Sequence, residues 1–182
     1  MKRREVIKMV SLATGAAISA PLMSSLLSGC ESAISKDDAD HILQFFNENE
    51  FYQIREIVAV ILPETDTPSA SSIGVHRVID TMVGTTYRPV EKETFKKTIT
   101  SFLEYVSSTS GDKLTVLKEL SQSNDESLAD AKAGFLDLKQ QTVAYYLLNE
   151  EIAKTQLNYL PVPGSYEPCI KLSDTNRKAW AI

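Results

Sequence analysis

The chain is short of the residues on which most redox and hydrolytic sites are built. Its 182 residues include only 2 cysteines, 2 histidines and 7 glycines. No G-x-G-x-x-G or P-loop run occurs, and a bound dinucleotide needs closely spaced glycines to bring its phosphates against the backbone. No C-x-x-C-H stands ready for covalent haem, and two cysteines cannot hold an iron–sulfur cluster. His41 and His76 are 35 residues apart, without a second His or Cys at ligand spacing and without an adjacent nucleophile. A hydrolase built on Asp66 and His76 is the weakest of the readings the spacing allows. These absences point away from an independent enzyme and toward no cofactor of its own.

Basic residues are also in deficit, with 19 Lys and Arg against 24 Asp and Glu. Removing the first 29 residues subtracts four basic and one acidic, leaving 15 against 23 and a net charge near −8. Nucleic acid is therefore not an expected partner, because gripping a phosphate backbone takes clustered cations. The densest group, Lys92, Lys96 and Lys97, is interrupted by Glu91 and Glu93 and reads as a solvated helix face.

Long apolar runs are confined to one place. Residues 9–29 carry no charge, behind a basic head of Lys2, Arg3, Arg4 and Lys8. That layout is a targeting segment, to be set aside from fold reasoning. Arg3 and Arg4 ahead of Val6-Ile7-Lys8 resemble a twin-arginine export signal, although Lys2 stands where that signal usually has Ser or Thr. The run ends in Leu27-Ser28-Gly29-Cys30, which looks like a lipobox with Cys30 as the acylated residue. A plain membrane anchor is disfavoured by Ser11, Thr14, Gly15, Ser19, Pro21, Ser24, Ser25 and Ser28 within the run. The expected location is the cell envelope or periplasm, with the chain held to a membrane through lipidated Cys30. Cys169 then becomes a lone thiol in an oxidising compartment. It reads as a bond to another chain or a reactive thiol, or else as a small buried hydrophobe, and as a bridge to Cys30 if that residue is not acylated.

The remaining chain divides into a polar tether at 30–48, with residues 31–40 too hydrophilic to pack, a helical domain at 49–158 and an extended tail at 159–182. Phe51, Ile54, Ile57, Val58 and Ile61 recur at helical spacing after Asn49, a candidate N-cap, and Pro63 stops that helix. Pro63 to Pro68 forms a rigid turn in which Glu64 and Asp66 read as capping residues rather than metal ligands. Ser71 or Ser72 can cap a second helix through Met82, with Gly84 as its terminator and His76 at or near its surface. A linker at 87–89 leads to a third helix over 91–106. A shorter one over 112–120 uses Leu114, Leu117 and Leu120, and the last is expected to run from 128 to 157. No period-two alternation persists, so the fold class is all-α, a small irregular bundle. The tail holds Pro161, Pro163 and Pro168 among Tyr159, Val162, Gly164 and Tyr166, which makes it stiff and suited to lie on a partner, with Trp180 as a further anchor.

Two separated motifs carry a family resemblance. Ile61-Leu62-Pro63-Glu64-Thr65-Asp66-Thr67-Pro68-Ser69-Ala70, Gly74-Val75 and Val78-Ile79-Asp80 are similar to I-x-P-x-T-D-T-P-G-A…G-V…F-I-D of the gluconate 2-dehydrogenase subunit 3 family. Ala144-Tyr145-Tyr146 through Tyr166 resembles its G-Y-Y-T-S-E-I-G-x-T-Q…Y-x-P-V-P-G-x-Y. Ser69 for Gly, Ala144 for Gly and Leu148-Asn149 for Thr-Ser are departures. The resemblance implies a non-catalytic small subunit of an exported sugar or glycoside dehydrogenase. Its GMC-type catalytic partner would carry FAD, and a cytochrome c would often take the electrons. This chain would supply the export signal and stabilise the flavoprotein. It further implies that Tyr159, Pro161, Val162, Pro163, Gly164, Tyr166 and Trp180 clasp that partner, with Cys169 available for an intersubunit disulfide. The competing reading is a stand-alone envelope lipoprotein that binds a ligand or protein.

Overall fold

The computed structural model describes residues 38–160, 162, 164–165 and 169–181. Arg3, Arg4, Cys30, Pro161, Pro163 and Tyr166 lie outside them. Among the described residues the fold is the expected helical bundle: α1 Glu48–Ile61, α2 Val75–Thr86, α3 Pro89–Ser108, α4 Lys113–Gln122, α5 Ala129–Leu147 and α6 Glu150–Thr155.

The cap of helix α1 lies two residues before the expected one, at Asn47. Asn47 accepts from the Glu50 N–H at 2.9 Å while Glu50 accepts from the Asn47 N–H at 3.1 Å, a reciprocal pair that satisfies two orphan donors. Helix α2 departs further. Ser72 spends its hydroxyl on the Ser69 carbonyl at 2.8 Å, and Gly74, at φ +78°, takes the N-cap position instead. Only glycine fits there comfortably, since its backbone is left-handed and a Cβ would come within 2.4 Å of the Arg77 guanidinium. Gly84 does not end α2 but sits inside it, where a Cβ would meet the Gln44 Cβ at 2.4 Å. The helix stops instead because Arg88 must be extended ahead of Pro89, and Pro89 then opens α3 at a position where its missing N–H costs nothing.

Helix α4 starts as read, with the Asp112 carboxylate accepting from the Thr115 N–H at 3.2 Å. Its buried face is Val116, Leu117 and Leu120, while Leu114 turns out to solvent. The single long final helix is corrected to two. Asn149 accepts from the Glu151 and Ile152 N–H groups and starts α6, because an amide side chain competes with helix propagation and favours a cap. Helices α3 and α5 cross closely where Gly134 faces the Thr98 carbonyl, with room for no Cβ (2.4 Å). Around that crossing Ile54, Val58, Ile79, Val83, Ile99, Phe102, Leu120, Leu138 and Ile152 are fully buried, so every helix contributes to one core. Phe102 and Phe135 pack with tilted rings across α3 and α5, centroids 5.6 Å apart.

Candidate functional site

The least expected residues are acidic. Asp80 is 0% exposed, and its carboxylate accepts four hydrogen bonds: from the backbone N–H groups of Gln44 (2.8 Å), Phe45 (3.0 Å) and Phe46 (2.8 Å), and from His41 Nε2 at 2.9 Å. Asp38 makes the mirror-image pairing, accepting from His76 Nε2 at 2.7 Å with Arg55 at 3.1 Å and Arg77 at 3.8 Å. Residues 38–46 thus form a strap bolted to α2 by two crossed carboxylate–imidazole pairs. Phe51 lies beside both rings, stacked on His41 at 5.2 Å and tilted to His76 at 5.0 Å. The solvated tether expected up to Asp40 is therefore corrected at Asp38, whose charge is met by two arginines and a histidine.

His76, expected at or near the surface, is 1% exposed. Burial holds its pKa below the ordinary histidine value, against the pull of Asp38 and with Arg77 and Arg55 adding to the depression. Its Nδ1 has no hydrogen-bond partner among the described residues, which suits a neutral ring donating through Nε2. The folded protein then binds fewer protons here than the unfolded chain. Stability from this site is intact above about pH 6.5, the unfolded value. It is lost as the pH falls toward the lowered folded value, at no more than about 1.4 kcal/mol per pH unit for one proton. Thermal melts between pH 7.5 and about 5 should show this loss, and His76→Gln should flatten the slope; an unchanged slope in the variant would assign the acid sensitivity elsewhere.

His76 and Asp66 are not brought together. Asp66 is exposed in the loop after α1, where the turn is closed by Thr65 N–H donating to the Thr67 carbonyl at 3.0 Å, not by the Asp66 or Glu64 side chains. The hydrolase reading has no geometry behind it. Among the described residues no three His, Cys, Asp or Glu side chains are grouped to hold a metal. One sequence signal was available: His76 and Asp80 are four residues apart, neighbours on a helix face that also carries Ile79 and Val83, although that spacing does not say which groups they meet.

The two motifs meet in space. Tyr146 on α5 donates its hydroxyl to the Pro68 carbonyl at 2.8 Å, while Ala70 N–H to Leu62 and Val75 N–H to Ala70 fold the 62–75 loop onto itself.

Beyond α6 the tail is tied by one residue. The Asn158 N–H donates to the Ala179 carbonyl and the Ala181 N–H to the Asn158 carbonyl, while its side-chain amide donates to the Thr175 and Lys178 carbonyls. Lys178 reaches back to the Thr155 carbonyl at 2.9 Å. Between these ties Val162 is 81%, Leu172 67% and Trp180 51% exposed, with Tyr159, Leu160 and Ile170 also in solvent. Gly164 is exposed as well. Cys169 is exposed, which removes the buried-hydrophobe reading of its thiol.

A family model described as gluconate 2-dehydrogenase subunit 3 matches residues 48–164, more than half of the chain, including the first motif, the second as far as Gly164 and so the first part of the tail. His76 and Asp80 fall inside the match; their partners Asp38 and His41 fall outside it. No curated protein and no solved structure matches.

Proposed function

Because the chain belongs to the gluconate 2-dehydrogenase subunit 3 family, we propose that it is the non-catalytic small subunit of an exported dehydrogenase of sugars or glycosides, and that it carries and stabilises a flavin-bearing catalytic chain. Arg3 and Arg4 supply a twin-arginine signal for co-export of the folded pair into the periplasm. Acylation of Cys30 holds the assembly at a membrane. Among the described residues no helix is long and apolar enough to cross one. FAD resides in the partner, of GMC type, and a cytochrome c accepts the electrons.

The observation that supports this reading best is the tail. Six large hydrophobic side chains stand in solvent on a segment whose base is fixed by hydrogen bonds. Exposed apolar side chains on a proline-rich segment lose little conformational entropy on docking, so the segment suits a protein partner. Tyr159, Val162, Gly164 and Trp180 make the contact together with Pro161, Pro163 and Tyr166, and Cys169 is available to bond covalently to the same partner.

The test is export. Arg3→Lys with Arg4→Lys, co-expressed with the flavoprotein, should leave flavin-dependent dehydrogenase activity in the cytoplasm, whereas the native pair delivers it to the periplasm. Undiminished periplasmic flavoprotein in the variant overturns the carrier role.

A further inference from the structure

A groove of about 620 Å³ runs between the first half of α3 and α5, lined by Tyr87, Val90, Glu91, Thr94, Thr98 and Asp137 with the Phe95 ring against Tyr87 at 5.9 Å. Its side chains offer mostly hydrogen-bond acceptors, with the Tyr87 phenol proton as the exception, since that oxygen accepts from Gln141. Thr94 donates its hydroxyl proton to the Val90 carbonyl at 2.9 Å and Thr98 its own to the Phe95 carbonyl at 3.1 Å, so each presents only lone pairs outward. Gln141, 7% exposed, donates through Nε2 to both Tyr87 Oη (3.2 Å) and Asp137 Oδ1 (3.1 Å). That orientation leaves its Oε1 buried behind the groove wall without a donor among the described residues.

Nearby cations already have partners, Arg88 with a carboxylate of the groove's own rim. Arg88 is held by Glu91, Lys92 donates to the Gly84 carbonyl, Lys96 to Glu50 and Lys97 pairs with Asp130. Of the lysine group read as a solvated face, Lys92 and Lys96 are tied to other elements, while Lys97 does stand in solvent. Asp137 makes no ion pair among the described residues. Its negative field reaches two phenols: Tyr87 and Tyr145 are raised above the ordinary tyrosine value, first by burial and next by Asp137.

We propose that this groove receives an arginine side chain of a partner protein, its guanidinium on Asp137 and against the Tyr87 ring, its aliphatic stem along exposed Val90. A guanidinium carries donors and no acceptor and stacks on aromatic faces, the complement of this lining. A sugar is a poorer fit, since it carries no positive charge to meet the Asp137 carboxylate. That the arginine belongs to the catalytic chain rests on the accessory-subunit reading; that the groove selects guanidinium does not.

The full-length isotope-labelled chain is titrated with N-acetyl-arginine amide and, in parallel, with N-acetyl-citrulline amide, its uncharged isostere. Saturable amide shifts at Thr94, Thr98, Ala133 and Asp137 are expected for the arginine probe, with a dissociation constant on the order of millimolar. Citrulline should bind about tenfold or more weakly, and Asp137→Asn should weaken arginine binding by a similar factor. Equal shifts with citrulline, no saturation with arginine, or a native-like response in a folded Asp137→Asn variant each overturns the proposal. The flavoprotein is absent from this experiment, so failure here leaves the export result untouched, and failure of the export test leaves the groove's selectivity standing.

Discussion

Asp80→Ala is expected to be the most damaging single substitution in the described body, costing about 3–5 kcal/mol. It removes the acceptor of three consecutive backbone N–H groups and of His41 at once, and Phe46, whose amide is one of the three, is buried. Asp80→Asn should recover little. An amide offers one oxygen where the carboxylate offers two, and each carboxylate oxygen here faces two donors, so either orientation turns an NH₂ group onto N–H groups. For a body of this size the loss corresponds to a melting temperature lower by roughly 10 °C. Chymotryptic cleavage after Leu43, Phe45 or Phe46 should precede global unfolding. A variant that melts within about 2 °C of the native protein would show that the strap contributes nothing to stability.

The second large effect separates fold from function. Replacing Val162, Leu172 and Trp180 together by Asp should leave helicity and melting temperature unchanged, since all three side chains are more than half in solvent. Association with the flavoprotein should fall by at least about 100-fold, because each buried interface anchor commonly contributes about 2 kcal/mol or more and an unpaired carboxylate would have to be desolvated in its place. Calorimetric titration or co-purification reads the loss directly. Native-like affinity in a folded triple variant would move the interface off the tail while leaving the carrier role open to the export test.

Most helices were legible because their signals are local. The i, i+3, i+4 recurrence of Phe51, Ile54, Ile57 and Val58, the stop at Pro63 and the start of a helix at 112 each rest on signals within one or two turns. Errors gathered where a local rule had two valid outcomes. Gly84 can end a helix or admit a neighbour inside one, and only the proximity of Gln44 decides. Asn47 and Asn49 are both good caps, and the Glu50 side chain selects Asn47. Ala144 through Leu157 reads as continuous helix until Asn149 folds its amide onto the next turn.

The sequence alone determined the all-α class, the poverty in redox ligands, the family motifs and the apolar, proline-rich character of the tail, since composition and short-range periodicity carry those properties. Tertiary structure decided the rest. Asp38 and His76, 38 residues apart, and His41 and Asp80, 39 apart, become partners only when the strap folds onto α2. Asp137 becomes an open acceptor only because the surrounding cations are drawn to other groups. Burial of a charge depends on what long-range packing places beside it, and no local pattern in the chain encodes that neighbour.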